Sequence, residues 1–196
     1  MTEVTGVNDV ARQEVLVGAA LDYVLRRGVA DLSLRPLAAA LGTSDRMLVY
    51  HFGSKRALVE RVLERASTDL ASIVLAEMSS GGTSTERLER LWGRLASAES
   101  QPYLRLWFEV QGLAAMGREP YATTVPGLLA AWLDLSATVF GELGLPLDHA
   151  RRVATVEVAA IQGLLLDLLA TGERGRVDTA ARDLIERVLA WPHDAG

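Results

Sequence analysis

Hydrophobic residues recur along this chain with the spacing of an α-helix. The i, i+3, i+4, i+7 pattern, which places apolar side chains on one helical face, occurs in several separate stretches. The clearest of them are residues 17–24, 59–70, 88–95, 128–140 and 181–189. No stretch combines strict alternation with the β-branched residues typical of a strand. The pattern predicts an all-α fold.

Glycine, serine and proline residues divide the pattern into about nine predicted helices. Gly28 ends the first helix, Pro192 closes the last, and Ser79 to Ser84 predicts a flexible linker. We expect acidic residues at the starts of four helices, namely Asp9, Glu86, Asp148 and Asp178. The predicted helices cover about residues 9–27, 33–41, 44–52, 54–78, 85–98, 102–116, 121–143, 147–171 and 178–191.

Composition excludes several classes of protein. The 196 residues include no Cys and three His, so we expect no disulfide, no thiolate nucleophile, no metal and no cofactor. His149 and His193 stand alone, and no catalytic motif is present, so we expect no enzyme. The chain lacks a run of about 18 uncharged apolar residues and a secretory leader, which predicts a cytoplasmic protein with no membrane partner.

Charge is distributed unevenly along the chain. The net charge is −5, yet residues 26–65 carry eight Lys and Arg against four Asp and Glu. A basic segment in an acidic protein is compatible with a nucleic-acid partner at that segment.

Two short predicted helices in the basic segment are joined by Leu41-Gly42-Thr43-Ser44, the arrangement of a helix-turn-helix. Such a hairpin is also common in purely structural bundles. Cations, including Arg35 and the pair at 55–56, lie at helix starts, where the helix dipole disfavours them. They fit there if an external phosphate occupies the helix end, and the other interpretation is tolerated surface arginine.

The runs SLRPLAAALGTS at 33–44 and LVYHFGSKRAL at 48–58 closely resemble the DNA-binding domain of the TetR family of transcriptional regulators. The motifs cover about residues 10–65, and the rest of the chain is similar in length and helical pattern only. The resemblance implies an N-terminal helix-turn-helix domain at residues 1–53 and a connecting helix at 54–78. It also implies a helical ligand-sensing and dimerisation domain at 66–196.

The resemblance further implies that the third helix enters the major groove, with bases read from its N-terminal end. Arg46 is expected to contact guanine, while Asp45 either accepts from cytosine or orients Arg46. Val49 replaces an aromatic residue common in the family; it cannot donate to a phosphate, and it either contacts a thymine methyl group or packs. Leu37, Leu41, Leu48 and Phe52 are expected to pack the motif. The expected DNA-binding residues are Ser33, Arg35, Thr43, Ser44, Asp45, Arg46, Met47, Tyr50, His51 and Lys55.

Aromatic residues are concentrated in the predicted helices 5 to 7. They form either an ordinary core or an apolar pocket for a small molecule, with polar residues that interrupt apolar faces as its anchors. The candidate ligand-binding residues are Trp107, Gln111, Trp132, Ser136 and Gln162.

Predicted helix 8 is apolar on almost every side, so it is expected to be buried on more than one face. The resemblance implies a homodimer through helices 8 and 9, bound to a pseudo-palindromic operator. The expected function is a repressor released from its operator by a small, largely apolar effector. The alternatives are a constitutive DNA-binding protein without a ligand and a helical interaction scaffold.

Overall fold

The computed structural model describes residues 3–190, and for residues 3–9 and Leu147 it describes the backbone only. The described residues form helices and no strands, which confirms the all-α prediction. The predictions for Trp191, Pro192 and His193 lie outside the described residues. The nine helices are α1 Glu3–Arg27, α2 Leu34–Ala40, α3 Asp45–Phe52, α4 Lys55–Met78, α5 Ser84–Leu95, α6 Gln101–Ala115, α7 Tyr121–Glu142, α8 Leu147–Thr171 and α9 Arg174–Leu189.

Two predicted helix starts are wrong. α1 begins at Glu3, so Asp9 lies inside the helix and does not occupy its first turn. α9 begins at Arg174, one turn before the predicted start at Asp178. The extra turn is stabilised by an ion pair between Arg174 Nε and Asp178 Oδ2 at 2.8 Å, four residues apart on one helical face.

The structure also corrects the limits of α5 and the linker before it. Thr83 is the N-cap of α5 and forms a capping box with Glu86, and the helix ends at Leu95, not near residue 98. The linker is held by arginines of α5. Arg87 donates to the Met78 carbonyl at 3.0 Å, and Arg90 donates to the Ser80 hydroxyl at 2.6 Å. The connection is therefore a hydrogen-bonded turn.

The chain divides into two compact units. The N-terminal unit comprises the residues up to Asp69 together with Arg105–Pro126, and the C-terminal unit comprises Leu70–Leu104 and the residues from Gly127 onward. The divisions fall inside α4, α6 and α7.

The core of the N-terminal unit comes from α1 to α4. α1, α2 and α3 pack on one another, with Val17, Val24, Leu37, Leu48 and Leu58 almost fully buried. Burying each such side chain contributes roughly 1.5–3 kcal/mol relative to leaving it exposed. This packing fixes the orientation of the short helix α3.

Segments distant in sequence complete the N-terminal unit. The Glu109 carboxylate of α6 accepts from the backbone N–H of Val29 at 3.0 Å and of Ala30 at 2.7 Å. The Tyr121 hydroxyl of α7 donates to the Val29 carbonyl at 3.0 Å. Gly28 has φ +78°, and a Cβ there would lie 3.0 Å from Glu109 Oε1, so this turn favours glycine on two counts. The α1–α2 turn is thus held by α6 and α7.

The core of the C-terminal unit joins α7, α8 and α9. Phe140, Ala150, Val153 and Val188 are nearly fully buried in it. α5 is tied to α9 by the Trp92 indole N–H, which donates to Asp178 Oδ1 at 2.8 Å. Asp178 therefore links α9 to α5 and does not lie at the start of a helix.

α7 and α8 are long, apolar helices. By length and composition alone, Tyr121–Glu142 and Asp148–Thr171 are apolar enough to cross a membrane, with mean hydropathies of 1.3 and 1.8. In α8, 17% of the most apolar window is buried within this chain. Two large apolar side chains of α8, Val156 and Leu166, are exposed, and several others are only partly buried.

Candidate nucleic-acid interface

The turn between α2 and α3 has the tight geometry expected of a helix-turn-helix. α2 ends at Ala40 with Leu41 as its C-cap, and Gly42 follows with φ +66°, a left-handed conformation that favours glycine. The Thr43 N–H then donates to the Ala38 carbonyl at 2.9 Å. Leu37 and Leu48 are fully buried, while Leu41 and Phe52 are partly buried, as expected for residues that pack the motif.

α3 presents large side chains to solvent. Tyr50 is 73% exposed, Val49 42% and Met47 37%, and Arg46 is exposed beside them. Because these side chains are exposed, they add little burial energy to the fold, and their exposure points to a partner. None of the ion pairs within the described part of the chain involves Arg46.

The N-terminus of α3 is capped from within. The Ser44 hydroxyl accepts from the Met47 N–H at 3.2 Å, and Asp45 Oδ1 accepts from the Arg46 N–H at 2.9 Å. Asp45 thus binds the backbone of Arg46, and the ion pairs of the described residues include none between these two side chains. Thr43 is partly buried at this turn, and Ser44 and Asp45 are exposed.

The N-terminus of α4 carries two cations with different surroundings. Lys55 is exposed, and no ion pair in the described residues includes it. Arg56, by contrast, pairs with Glu60 at 2.8 Å and donates to the Thr123 hydroxyl at 2.7 Å. Of the two, Lys55 is the one that remains available to a phosphate.

α2 presents a second part of the same face. Ser33 is the N-cap of α2 by backbone conformation, but its side chain makes no capping hydrogen bond. Ser33 and Arg35 are both exposed. A hydroxyl that does not cap its own helix keeps its hydrogen-bonding capacity for an external group.

His51 lies at the far end of α3. Its ring is partly buried and meets the Tyr50 ring edge-on, with centroids 5.1 Å apart. The Gln13 amide of α1 donates to the His51 carbonyl at 2.9 Å and fixes this end of the helix.

The helix-dipole argument is weaker than the sequence suggested. α2 and α4 begin without an acidic residue, as expected, but so do α6, α7 and α9. α9 even begins with Arg174 and Arg176 in a different part of the chain. The absence of N-terminal acid therefore does not single out the basic segment. Its more distinctive feature is the 73% exposed Tyr50 on the same short helix as the exposed Arg46.

The five candidate ligand-binding residues are divided between the two units. Trp107 and Gln111 belong to the N-terminal unit, and Trp132, Ser136 and Gln162 belong to the C-terminal unit. All five are partly buried.

The C-terminal unit contains a cavity of about 30 Å³. None of the five candidates is among its lining residues, but Ser136 donates to one of them, Glu157, at 2.8 Å. Desolvation raises the pKa of Glu157, although the Ser136 hydrogen bond opposes the change. The lining residues are Leu88, Leu91, Trp92, Leu95, Phe140, Glu157, Ile161, Leu184, Ile185 and Val188.

Glu157 was missed as a candidate by sequence reasoning. It interrupts the apolar run of α8 as Gln162 does, and that interruption was the available signal. Which of the two side chains reaches the cavity depends on how α8 packs against α5, α7 and α9, and the pattern of one helix does not contain that information.

Residues 16–62 match the model of a family described as bacterial regulatory proteins, tetR family. No curated protein sequence matches the chain significantly. The matched segment contains α2, α3 and the start of α4, together with residues 16–27 of α1.

Solved structures share the fold over nearly the whole chain. A transcriptional regulator from Rhodococcus sp. Rha1 is 20% identical, with a TM-score of 0.74 over 94% of this chain and 99% of that one. A TetR-family transcriptional regulator from Cytophaga hutchinsonii is 15% identical, with a TM-score of 0.76 over 91% and 95%. The multidrug binding protein EbrR, complexed with imidazole, is 24% identical, with a TM-score of 0.70 over 93% and 92%.

The sequence match covers the segment that carries the exposed cations, and the fold match covers the remainder. The matching family model describes bacterial regulatory proteins, and the solved structures from Rhodococcus and Cytophaga are transcriptional regulators; none of them is described as an enzyme. Residues 16–62 therefore match the tetR family of bacterial regulatory proteins, and the chain as a whole shares the fold of the solved regulators.

Proposed function

We propose that this DNA-binding regulator is a cytoplasmic homodimeric repressor that binds a pseudo-palindromic operator and is released from it by a small effector. The observation that carries the proposal is the exposed face of α3 with the adjacent start of α4. There Arg46, Tyr50 and Lys55 project away from the protein core.

The residues of this face have two roles in the proposal. Arg46, at the N-terminal end of α3, donates to guanine O6 and N7 in the major groove. Lys55 and Tyr50 contact phosphates, together with Ser33 and Arg35 from α2, and set the register of the protein on the duplex. Thr43, Ser44, Asp45, Met47 and His51 flank these contacts.

The exposed apolar face of α8 supports the homodimer. Leu166 is 49% exposed and Val156 46%, and they share a helical face with the small residues Ala159, Gly163 and Ala170. Small residues allow a second helix to approach closely, and a second copy of α8 covers this apolar surface best. α9 borders this interface in the proposed dimer. Its outward face is charged, which suits the rim of an interface.

A twofold dimer places two copies of α3 in successive major grooves. Half-sites about 34–36 Å apart, roughly one turn of DNA, would then be bound together. The second contact becomes intramolecular once the first has formed, so dimerisation contributes strongly to operator affinity.

Release by an effector needs a connection to the DNA-binding helices. Glu109 and Tyr121 hold the turn that precedes α2, and they lie on α6 and α7. Both helices continue into the C-terminal unit, as does α4. An effector that displaces α6 or α7 would therefore move a support of the helix-turn-helix. To empty a nearly full operator, it must discriminate the two states by about 5.5 kcal/mol.

Two observations favour a regulator that responds to an effector over one that binds DNA constitutively. The C-terminal unit contains a cavity with a carboxylate in its wall, and a structurally similar protein, EbrR, is complexed with imidazole.

The test is selection of binding sites from a random pool of duplex DNA by the purified protein. We expect one enriched inverted repeat, bound with an affinity that falls steeply as salt increases. Absence of DNA binding even at low salt would favour the helical scaffold. Binding that responds to no small molecule would leave a constitutive DNA-binding protein.

A further inference from the structure

We propose that the cavity of the C-terminal unit binds a small aliphatic amine, which enters as an ammonium ion and pairs with Glu157. The inference rests on the proposed effector-responsive function and names the chemical class of the effector.

The wall of the cavity has one ionisable group. The other nine lining side chains are apolar and come from α5, α7, α8 and α9. No lysine, arginine or histidine is among them, so the wall itself contains no cation to pair with Glu157. A ligand that fits this wall needs an apolar part and one positive group.

The Glu157 carboxyl group is incompletely paired. The Ser136 hydroxyl donates to Oε2 at 2.8 Å, and no other donor within the described residues is hydrogen-bonded to the carboxylate. A carboxylate among apolar side chains loses hydration that one neutral hydroxyl does not replace. An ammonium group would supply both the opposite charge and up to three hydrogen-bond donors.

The alternatives to a cation fit less well. An anionic ligand would be repelled by the carboxylate, and a neutral apolar ligand would leave Glu157 underpaired. Size sets a further limit, because a cavity of about 150 Å³ accommodates benzene and this one measures about 30 Å³. The enclosed part of the ligand therefore consists of only a few non-hydrogen atoms, as in a short alkylammonium ion.

Trp92 supplies a local probe. Its indole ring lines the cavity, and its N–H is fixed by Asp178, so the indole ¹H–¹⁵N signal reports a change in the cavity wall. The chain contains four tryptophans, and the Trp92→Phe variant assigns the signal.

The experiment is a titration of the full-length ¹⁵N-labelled protein with ethylammonium chloride, at constant ionic strength. We expect a saturable shift of the Trp92 indole signal, and no such shift with ethanol or propionate. Glu157→Gln should weaken the apparent affinity at least about tenfold, because it removes a charged hydrogen-bond partner. Glu89→Gln, an exposed carboxylate on α5, should leave the affinity unchanged.

A second variant tests the site independently, in case Glu157→Gln does not fold. Ile161 lies one turn from Glu157 on α8 and also lines the cavity, so Ile161→Phe should fill it and abolish the shift while the carboxylate stays. The proposal is overturned if the Trp92 signal does not respond, or if ethanol produces an equal response. An unchanged affinity in a folded Glu157→Gln variant would overturn it as well.

Operator binding measured on the same preparations separates this proposal from the proposed function. Intact operator binding without an amine response would overturn the amine site alone. An amine response without any effect on operator affinity would support the site and contradict release by this ligand. Loss of all DNA binding would contradict the regulator, while the Trp92 titration would still decide the amine site.

Discussion

The two compact units place their charged and apolar groups in opposite ways. In the N-terminal unit, the core is apolar and the cations of α3 and α4 are exposed, with Arg46 and Lys55 outside the ion pairs of the described residues. In the C-terminal unit, a carboxylate faces a cavity while apolar side chains of α8 face outward. The exposed apolar side chains and the desolvated carboxylate of the C-terminal unit are unfavourable in the isolated chain, whereas the exposed cations of the N-terminal unit are well hydrated and available to a partner.

The contrast indicates which partner belongs to which region. Exposed cations beside an exposed tyrosine suit a phosphate backbone and the edges of bases. An exposed apolar face suits a second protein surface, and an enclosed carboxylate suits a small cation.

The largest effect is expected from Leu166→Glu. A charge at the centre of the apolar face of α8 should dissociate the dimer, and the loss of the paired contact should weaken operator binding more than about a hundredfold. Sedimentation and DNA titration measure the two effects. Leu75→Glu is the matched control, because Leu75 is 53% exposed and lies on α4. Equal dissociation by both variants, or by neither, would contradict an interface on α8.

Arg46→Ala is expected to reduce sequence discrimination. Loss of a bidentate contact to guanine should cost about 1–3 kcal/mol at one position of each half-site and leave binding to unrelated DNA nearly intact. Affinities for operators substituted base by base provide the measurement. A uniform loss on every sequence would reassign Arg46 to a phosphate.

The pH dependence of stability in the Glu157→Gln variant tests whether folding desolvates the Glu157 carboxylate. Burial raises the pKa of Glu157 in the folded state, so the protonated form is favoured by folding. Stability is then highest at pH values below the ordinary pKa of glutamate, and this contribution is lost as the pH rises from there through the folded pKa. The variant should therefore gain stability relative to wild type as the pH rises.

Urea unfolding between about pH 4 and pH 8 measures this difference. Glu89→Gln, in which the carboxylate is exposed on α5, should show a smaller change with pH. If the free energy of unfolding differs between wild type and Glu157→Gln by the same amount at every pH in this range, the claim that folding desolvates the Glu157 carboxylate is contradicted.

The smallest effect is expected at the start of α4, where two adjacent cations differ in surroundings. Lys55→Ala should weaken binding to all sequences and reduce the dependence of log affinity on log salt by about one unit per protomer. Arg56→Ala should leave that dependence unchanged, because Arg56 pairs with Glu60 and Thr123. An equal effect of both substitutions would show that the ion pair does not withhold Arg56 from DNA.

The N-terminal unit was largely predictable because its signals are local. Gly42 at the turn, Ser44 at the cap and the buried Leu37 and Leu48 each depend on neighbours within about ten residues. The exposure of Tyr50 follows from the same pattern.

The missed features depend on contacts between distant segments. Glu109 reaches Val29 across 80 positions, and Ser136 reaches Glu157 across 21. Arg56 donates to the Thr123 hydroxyl, which lies 67 positions away in the sequence. Helical periodicity shows which face of a helix is buried but not which helix covers it, so neither the cavity nor these ties could be derived from the sequence.

The absence of cysteine from the chain permits the most direct test of the central claim, that the exposed face of α3 lies against DNA. Val49→Cys, labelled with a photoactivatable maleimide, places a crosslinker on α3, and Leu75→Cys places the same group at a similarly exposed site on α4. With a duplex carrying the selected inverted repeat, we predict crosslinking from position 49 within the half-sites and none from position 75. Crosslinking from position 75 alone, or from neither position while the protein remains bound, would contradict the account.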